Sequence, residues 1–169
     1  IGADGANSFV RDQAFIDLDV LDYQQAGLTC AIRTTQPHQY VARQIFHPTG
    51  PLAFLPMASL KPEQAEHWIS IVWTLPDDYA EEYARLDDVD FCELLTRESH
   101  HMLGKIIEAT PRAQFPLKAR AAQRYVKDGL ALIGDAAHVI HPLAEQGVNI
   151  ECLDAAILCD VLLKDKQRG

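Results

Sequence analysis

The chain has 169 residues, with 15 Lys and Arg against 24 Asp and Glu, so its formal net charge is −9 when the histidines are neutral. A hydrophobic fraction of 48% and a charged fraction of 23% are typical of a soluble globular protein, and they exclude a disordered or collagen-like chain. The acidic balance argues against a nucleic-acid partner, because binding to phosphates needs a basic face. No apolar run approaches the roughly 20 residues of a membrane span.

The first five residues, Ile-Gly-Ala-Asp-Gly, predict the last part of a buried strand that runs into a tight turn. There is no initiator Met, so we expect the chain to be a piece of a longer protein. Part of its apolar surface would then normally be covered by missing elements. The sequence therefore predicts an exposed apolar patch.

Alternating apolar residues and turn signals predict a mostly antiparallel sheet in the first half of the chain. The expected strands cover residues 28–34, 39–46, 52–57 and 68–75. The apolar spacing then becomes helical from 77 to about 109, and a further strand is expected over 114–125. A short strand over 129–133 and a helix over about 147–163 follow. Because several faces of this last helix are apolar, we expect it to be buried on several sides.

Two segments carry the polar residues that suit a ligand site. The first is Gly2-Ala3-Asp4-Gly5, followed by a capping Asn7-Ser8 pair and Arg11. The second is Gly134-Asp135-Ala136-Ala137-His138, then Pro142, then Gln146-Gly147-Val148-Asn149, then Asp154-Ala155-Ala156. Each segment places a carboxylate after a predicted strand, where α/β folds bind polar cofactors.

The second segment has a physical logic of its own. Asp135 is an acceptor and suits a ligand that presents hydroxyl groups, while Ala136 and Ala137 let a bulky ligand approach the backbone. The free N–H groups at the start of the last helix would point at an anionic or electron-rich group. A single Gly-Asp pair is more often an ordinary turn, so one pair alone would be weak evidence.

Taken together, the two segments resemble the Asp-Gly and Gly-Asp motifs of the flavoprotein aromatic hydroxylases, the p-hydroxybenzoate hydroxylase type. Their separation of about 130 residues, with a mostly β insertion, is also similar. The ubiquinone-biosynthesis branch, and within it the 2-polyprenylphenol hydroxylases, is the most similar. The segments that carry this likeness are 22–24, 41–47, 50–56, 70–73, 115–117 and 134–138.

The resemblance implies a mixed α+β and α/β fold, namely a partial FAD-binding domain with an inserted, mostly antiparallel β-sheet substrate domain. Residues 1–22 would end the first part of the FAD-binding domain, 23–125 would form the substrate domain, and 126–169 would return to the FAD-binding domain. The family's cofactor is FAD. NAD(P)H would reduce it, and O2 would then form a flavin hydroperoxide that hydroxylates a polyprenylphenol ring.

The same resemblance implies roles for individual residues. Asp135 would bind the ribityl hydroxyls, Gly134 would shape its turn, and Pro142 would line the flavin ring. The amides of Gly147, Val148 and Asn149 would face the flavin N1 and C2 carbonyl, where reduction places negative charge. Asp4 and Gly5 would lie near the pyrophosphate, with Arg11 orienting their turn. For the substrate, the candidates are Phe54, Leu55 and Pro56, each of which could equally be core.

Partners and location follow from the same resemblance. We expect a small aromatic, polyprenylated substrate, O2, no nucleic acid and no metal; a ubiquinone-biosynthesis complex and a homo-oligomer are both open. The expected location is the cytoplasm, with peripheral contact to the inner membrane left open. The −9 charge argues against direct attraction to anionic headgroups.

Three departures argue against a working enzyme. The upstream Gly-rich dinucleotide fingerprint is absent, so this piece alone should not bind FAD tightly. Glu145 and Glu151 stand where the family usually has Gly, and each adds a negative charge beside the cofactor. The alternatives are therefore a non-catalytic relative or truncated piece that serves as a binding or assembly subunit, and a hydroxylase of the same fold acting on another aromatic.

Overall fold

The computed structural model describes residues 1–58, 62–140 and 146–168. The chain divides into two compact units, one formed by Ile1–Tyr23 and Leu117–Gly169, the other by Gln24–Pro116. We call them the split unit and the sheet unit. The predicted insertion ended at 125, whereas the sheet unit ends at Pro116. The difference lies in the strand Ala113–Ala122, whose second half pairs with a strand of the split unit.

The sheet unit contains the strands β2 (Arg43–His47), β3 (Gly50–Pro56), β4 (Trp68–Pro76) and most of β1 (Leu18–Thr34). They pair in the order β2–β3–β4–β1. The pairing is antiparallel throughout, with Leu28 opposite Trp73 and Leu52 opposite Trp73 on its other side. The strand β5 (Ile106–Ala109) pairs with the end of β1. The predicted antiparallel sheet is confirmed.

Strand β2 begins later than the predicted residue 39. Gln39 and Tyr40 adopt positive φ values of 56° and 57°, which a strand does not permit. The preceding His38 is buried, and its ring accepts a hydrogen bond from the Tyr40 N–H at 2.9 Å. This local turn holds the chain out of the sheet until Arg43.

The helical period predicted from 77 to about 109 is confirmed up to Glu98 and wrong beyond it. The structure has two helices, α2 (Asp77–Arg85) and α3 (Asp88–Glu98), and Ile106 begins β5. Asp87 starts α3 by accepting a hydrogen bond from the Asp90 N–H at 2.9 Å. Helix α3 ends because His100 and His101 have φ values of 52° and 55°, which turn the chain back towards the sheet.

Helix α3 packs on the apolar face of the sheet. Its Phe91 and Leu95 are fully buried, and they join a core that includes Leu28, Ile71 and Trp73 from the strands. The opposite face of the sheet carries Phe46, Leu55 and Trp68 together with several smaller, partly exposed residues. The smaller residues are Thr29, Ala31, Ala53, Ser70 and Val72. The sheet unit therefore has one covered face and one more open face.

The split unit is built from short elements around a small core of Ile16, Ala122, Leu132 and Ala137. Its elements are the helix α1 (Phe9–Gln13), the first residues of β1, and the second half of β6 (Ala113–Ala122). The hairpin of β7 (Val126–Lys127) and β8 (Leu130–Ala131), the 3-10 turn Gly134–Ala136, β9 (His138–Val139) and the helix α4 (Gln146–Arg168) complete it. Strand β6 pairs with β9, with Ala121 opposite His138.

The expected burial of the last helix is wrong for this chain. Helix α4 exposes large apolar side chains along its length, namely Val148, Leu153, Ile157, Val161, Leu162 and Leu163. This agrees with the other expectation, that the chain shows an apolar patch. Within the three described ranges, no helix is both long enough and apolar enough to cross a membrane.

The core of the sheet unit generates a stability prediction. Leu95→Ala should lower the free energy of unfolding by about 3 kcal/mol, because it removes a fully buried side chain and leaves a cavity. Val89→Ala on the same helix should change it by less than about 0.5 kcal/mol, since Val89 is 68% exposed. Urea unfolding followed by the fluorescence of Trp68 and Trp73, both in β4, measures each variant. Equal losses in the two variants would contradict this packing.

Candidate functional site

The two polar segments meet in the split unit. Gly2 and Leu132 form a parallel bridge, in which the Gly2 N–H donates to the Ala131 carbonyl at 2.8 Å and the Ile133 N–H donates to the Gly2 carbonyl at 2.9 Å. The chain therefore leaves both short strands in the same direction. Asp4 and Asp135 follow these strands at the same edge, as the strand-end argument predicts.

Asp4 is used to build the turn that contains it. Its carboxylate accepts hydrogen bonds from the Ser8 hydroxyl and from the Val10 N–H, the latter at 3.1 Å. These hydrogen bonds lower the pKa of Asp4, and the bond from Ser8 has the largest effect. Ser8 in turn caps α1 by accepting from the Arg11 N–H at 3.0 Å. Gly5, with φ of 86°, faces open space, since a Cβ there would have no described atom within 4 Å.

Arg11 connects the two segments from inside the unit. Its side chain is almost fully buried, and the guanidinium donates to the Ala6 carbonyl at 3.1 Å and to the Ala136 carbonyl at 3.2 Å. Its Nε has no partner among the described atoms. One buried cation therefore fixes the Asp-Gly turn against the Gly-Asp turn, which agrees with the orienting role expected for Arg11.

Asp135 lies where two cavities adjoin. One cavity of about 290 Å³ is lined by Ala3, Gly5, Gly134 and Asp135, and Glu151 closes one side of it. The other, of about 360 Å³, extends from Asp135 and Glu151 to Gly147, Val148 and Ile150 at the start of α4. Residues of both predicted segments thus border connected space around one carboxylate.

Glu151 is placed directly in this space. Its side chain passes 3.4 Å from the point where a Cβ on Gly134 would lie. Burial raises the pKa of Glu151, and the negative charge of Asp135 together with a hydrogen bond to it raises this pKa further. The departure from glycine at 151 therefore puts a second acid beside the predicted ligand-binding acid.

Asp154 is a polar residue of the site to which the sequence analysis assigned no role. One of its carboxylate oxygens accepts from the Gly134 N–H at 2.9 Å and from the His138 ring at 2.8 Å. One feature of the sequence points to Asp154. It lies seven residues after Gly147, so the two residues lie on the same face of α4. His138 also contacts the ring of Tyr125, with centroids 5.6 Å apart.

The other residues predicted for the site lie in α4, in the sheet unit or outside the described residues. Gly147, Val148 and Asn149 lie in the first turn of α4, and their role as flavin contacts stays a prediction. Pro142 and Glu145 lie outside the described residues. In the sheet unit, Phe54 is buried in the core, while Leu55 and Pro56 are partly exposed. Their role as substrate contacts stays a prediction. The described residues contain no group of three or more His, Cys, Asp or Glu placed to hold a metal.

Comparison with known proteins identifies the class. The model of the FAD binding domain family matches residues 1–167, so the chain belongs to this family. It is 38% identical over 171 residues to the 3-demethoxyubiquinol 3-hydroxylase of Escherichia coli, covering 100% of this chain and 41% of that protein. It is 36% identical over 169 residues to the ubiquinone hydroxylase UbiL of Rhodospirillum rubrum, covering 100% of this chain and 38% of that protein.

Among solved structures, the chain is similar to PqsL of Pseudomonas aeruginosa, a probable FAD-dependent monooxygenase. The TM-score is 0.74 at 25% identity, covering 95% of this chain and 44% of that one. The chain spans about 40% of the length of the curated relatives described above. The resemblance to FAD-dependent hydroxylases of the ubiquinone pathway, the mixed fold class and FAD as the family's cofactor are confirmed.

The residues present fit part of an FAD molecule. Asp135 lines a cavity and can supply acceptor oxygens, as a hydroxylated ribityl chain requires, and Gly147 and Val148 from the first turn of α4 line the same cavity. A Cβ on Gly147 would meet no described atom within 4 Å, so a flat ring can approach the backbone there. Glu151 adds a second acid beside Asp135 in this cavity, and its charge opposes an electron-rich ligand.

The buried Arg11 generates a second prediction. Arg11→Met should remove the donor of the Ala136 carbonyl and one of the two donors of the Ala6 carbonyl. The local stability should fall by about 3 kcal/mol, since a hydrogen bond to a charged group contributes roughly 1.5–3 kcal/mol. Amide exchange at Ile133, whose N–H binds Gly2, should become correspondingly faster. The exposed Arg124→Met serves as control and should leave Ile133 exchange unchanged. Unchanged exchange in the Arg11 variant would show that the guanidinium does not hold the turns together.

Proposed function

We propose that this chain provides the ribityl-binding and flavin-facing part of an FAD-dependent monooxygenase that hydroxylates a polyprenylated phenol ring in ubiquinone biosynthesis, using NAD(P)H and O2. The observation that carries this proposal is the shared cavity of Asp135 and the first turn of α4. The relatives support the class of substrate, because they are named for ubiquinone hydroxylation.

Each residue contributes by binding or by orienting. Asp135 accepts hydrogen bonds from ribityl hydroxyls, and Gly134 lets the chain turn with φ of 59° just before it. The N–H groups at the start of α4, at Gly147, Val148 and Asn149, face the electron-rich edge of the ring and stabilise negative charge there without moving. Asp4 and Gly5 shape the turn on the pyrophosphate side. The bound flavin supplies the activation of O2.

The sheet unit forms most of the proposed substrate domain, residues 23–125. Its more open face presents small side chains such as Ala31, Ala53 and Ser70, which leave room for an aromatic ring. Leu55 is partly exposed and lies opposite Ser70 in the sheet, so it is the favoured substrate contact among the three candidates. Phe54 instead supports this face from the core.

Domain roles, partners and location complete the proposal. Residues 1–22 and 126–169 serve the cofactor, and 23–125 serve the substrate. The protein works in the cytoplasm and reaches its polyprenylated substrate by peripheral contact with the inner membrane, within a ubiquinone-biosynthesis complex or as a homo-oligomer. A second candidate function, a non-catalytic binding or assembly subunit, is favoured by one observation, the acid Glu151 beside Asp135.

The test of the proposed function is flavin binding by the full-length protein. Asp135→Ala should weaken FAD binding by about 10- to 100-fold, because the ribityl hydroxyls lose the carboxylate that accepts their hydrogen bonds. Asp128→Ala, which removes an equal charge from the exposed turn between β7 and β8, is the matched control. Binding is measured by quenching of flavin fluorescence, and NAD(P)H oxidation stimulated by a polyprenylphenol measures turnover. A full-length protein that binds no flavin at saturating FAD would support the non-catalytic alternative instead.

The charge at Glu151 leads to a fourth prediction. Glu151→Gln should strengthen FAD binding by roughly 3- to 10-fold at neutral pH, because it removes a negative charge beside an anionic ligand. Glu151→Gly should gain at least as much, since it also opens space. Asp160→Asn removes the same charge from an exposed site on the same helix and should change little. The double variant Glu145→Gly, Glu151→Gly restores the family's glycine at both positions and is measured alongside.

The pH dependence has a defined sign. The pKa of Glu151 is raised, so the group takes up a proton as the pH falls, at a higher pH than an ordinary glutamate does. FAD affinity of the natural protein should therefore rise as the pH is lowered into this range, and Glu151→Gln should remove this rise. Equal affinities of the natural, Gln and Gly proteins at every pH would refute an inhibitory role of Glu151.

A further inference from the structure

The segment that carries Asp135 is held at both ends by one oxygen atom. The Asp154 carboxylate accepts from the N–H of Gly134 and from the ring Nε2 of His138, at 2.9 and 2.8 Å. These two donors flank Asp135 in the chain, one residue before it and three residues after it. A single side chain of α4 therefore fixes the start and the end of the Asp135 turn.

The turn needs this support because little within the turn itself stabilises it. Gly134 has a left-handed φ of 59°, and the 3-10 turn Gly134–Ala136 has no side-chain cap at its start. Asp154 supplies the missing acceptor from a different element. Hydrogen bonds to a carboxylate are stronger than neutral ones, and Asp154 is partly shielded from water, with its side chain 23% exposed.

The bond also determines how the His138 ring is protonated. Since a carboxylate only accepts, the Nε2 of His138 must carry the hydrogen, which leaves Nδ1 as an acceptor in the neutral ring. The ring is held from its other side by Tyr125. His138 is thus a fixed link between β9 and α4.

We propose that Asp154, acting through the Gly134 amide and the His138 ring, is the positioning residue that holds Asp135 in its ribityl-binding orientation. The inference rests on the proposed function of this site. Its physical basis is that Asp154 stands on the helix whose first turn borders the same cavity. One rigid helix therefore sets the distance between the N–H donors of that turn and the acceptor Asp135. Asp154 itself does not contact the cofactor.

The experiment compares Asp154→Ala with Asp160→Ala in the full-length protein. Both variants remove one acid from α4, but Asp160 is exposed and pairs with Lys164 on the same helix. Amide exchange at Gly134, measured without added flavin, should become at least 10-fold faster in Asp154→Ala, and FAD binding at least 10-fold weaker. Asp160→Ala should change neither. Asp154→Asn keeps an acceptor oxygen and should recover part of both losses.

A readout of the bound ring separates positioning from mere stability. In Asp154→Ala at saturating FAD, the visible circular dichroism of the bound flavin should differ from that of the natural protein, whereas Asp160→Ala should match it. His138→Ala should also weaken FAD binding, and the double variant with Asp154→Ala should be no worse than Asp154→Ala alone, since the two residues act as one unit.

The outcomes separate this inference from the proposed function. If the natural protein binds FAD and Asp154→Ala binds it equally well, the positioning role is overturned and the proposed function stands. Faster exchange at Gly134 with unchanged FAD affinity also overturns it, because Asp154 would then stabilise the turn without serving the cofactor. If the natural protein binds no FAD, the proposed function fails and the positioning role fails with it.

Discussion

The split unit depends on one buried cation. Arg11 reaches from the first turn of the chain to the carbonyl of Ala136, 125 residues away, and it also binds Ala6. A guanidinium tolerates this burial because its planar fork can donate to several carbonyls at once, whereas an ammonium offers a single point charge. The two polar turns can thus come from opposite ends of the chain, with the sheet unit lying between them in sequence.

Strand direction does the rest of the positioning. Because Gly2 and Leu132 pair in parallel, the turns that follow them emerge on one edge, and α4 then brings its N-terminal amides to the same place. The acceptor Asp135 and the N–H donors of α4 come from different structural elements. Asp135 sits on a turn fixed by Asp154, while the donors of the first turn of α4 need no side chain at all. The site is therefore as rigid as the contacts of Arg11 and Asp154.

Sequence reasoning found what depends on local pattern and missed what depends on distant contacts. The strands of the sheet unit follow from alternation, and the acid-bearing turns follow from Gly and Asp at strand ends. The helix predicted over 77–109 fails in its last part because the apolar period continues through Met102 and Ile106, although His100 and His101 reverse the chain between. Periodicity reports which residues are buried, and Ile106 is buried as part of a strand. Asp154 belongs to the second predicted segment, but its role depends on partners 16 and 20 residues away, so the sequence alone does not reveal it.

The four acids of the split-unit site divide by what already satisfies them. Asp4 accepts hydrogen bonds from Ser8 and Val10, and Asp154 accepts them from Gly134 and His138. Both acids therefore stabilise turns. Asp135 and Glu151 instead border the cavities. These two acids share a hydrogen bond, and together they repel an anionic group and favour a ligand that offers hydroxyl donors. Under the proposed function, the hydroxylated part of the ligand would lie at Asp135, because the carboxylate of Asp4 is already engaged by its own donors.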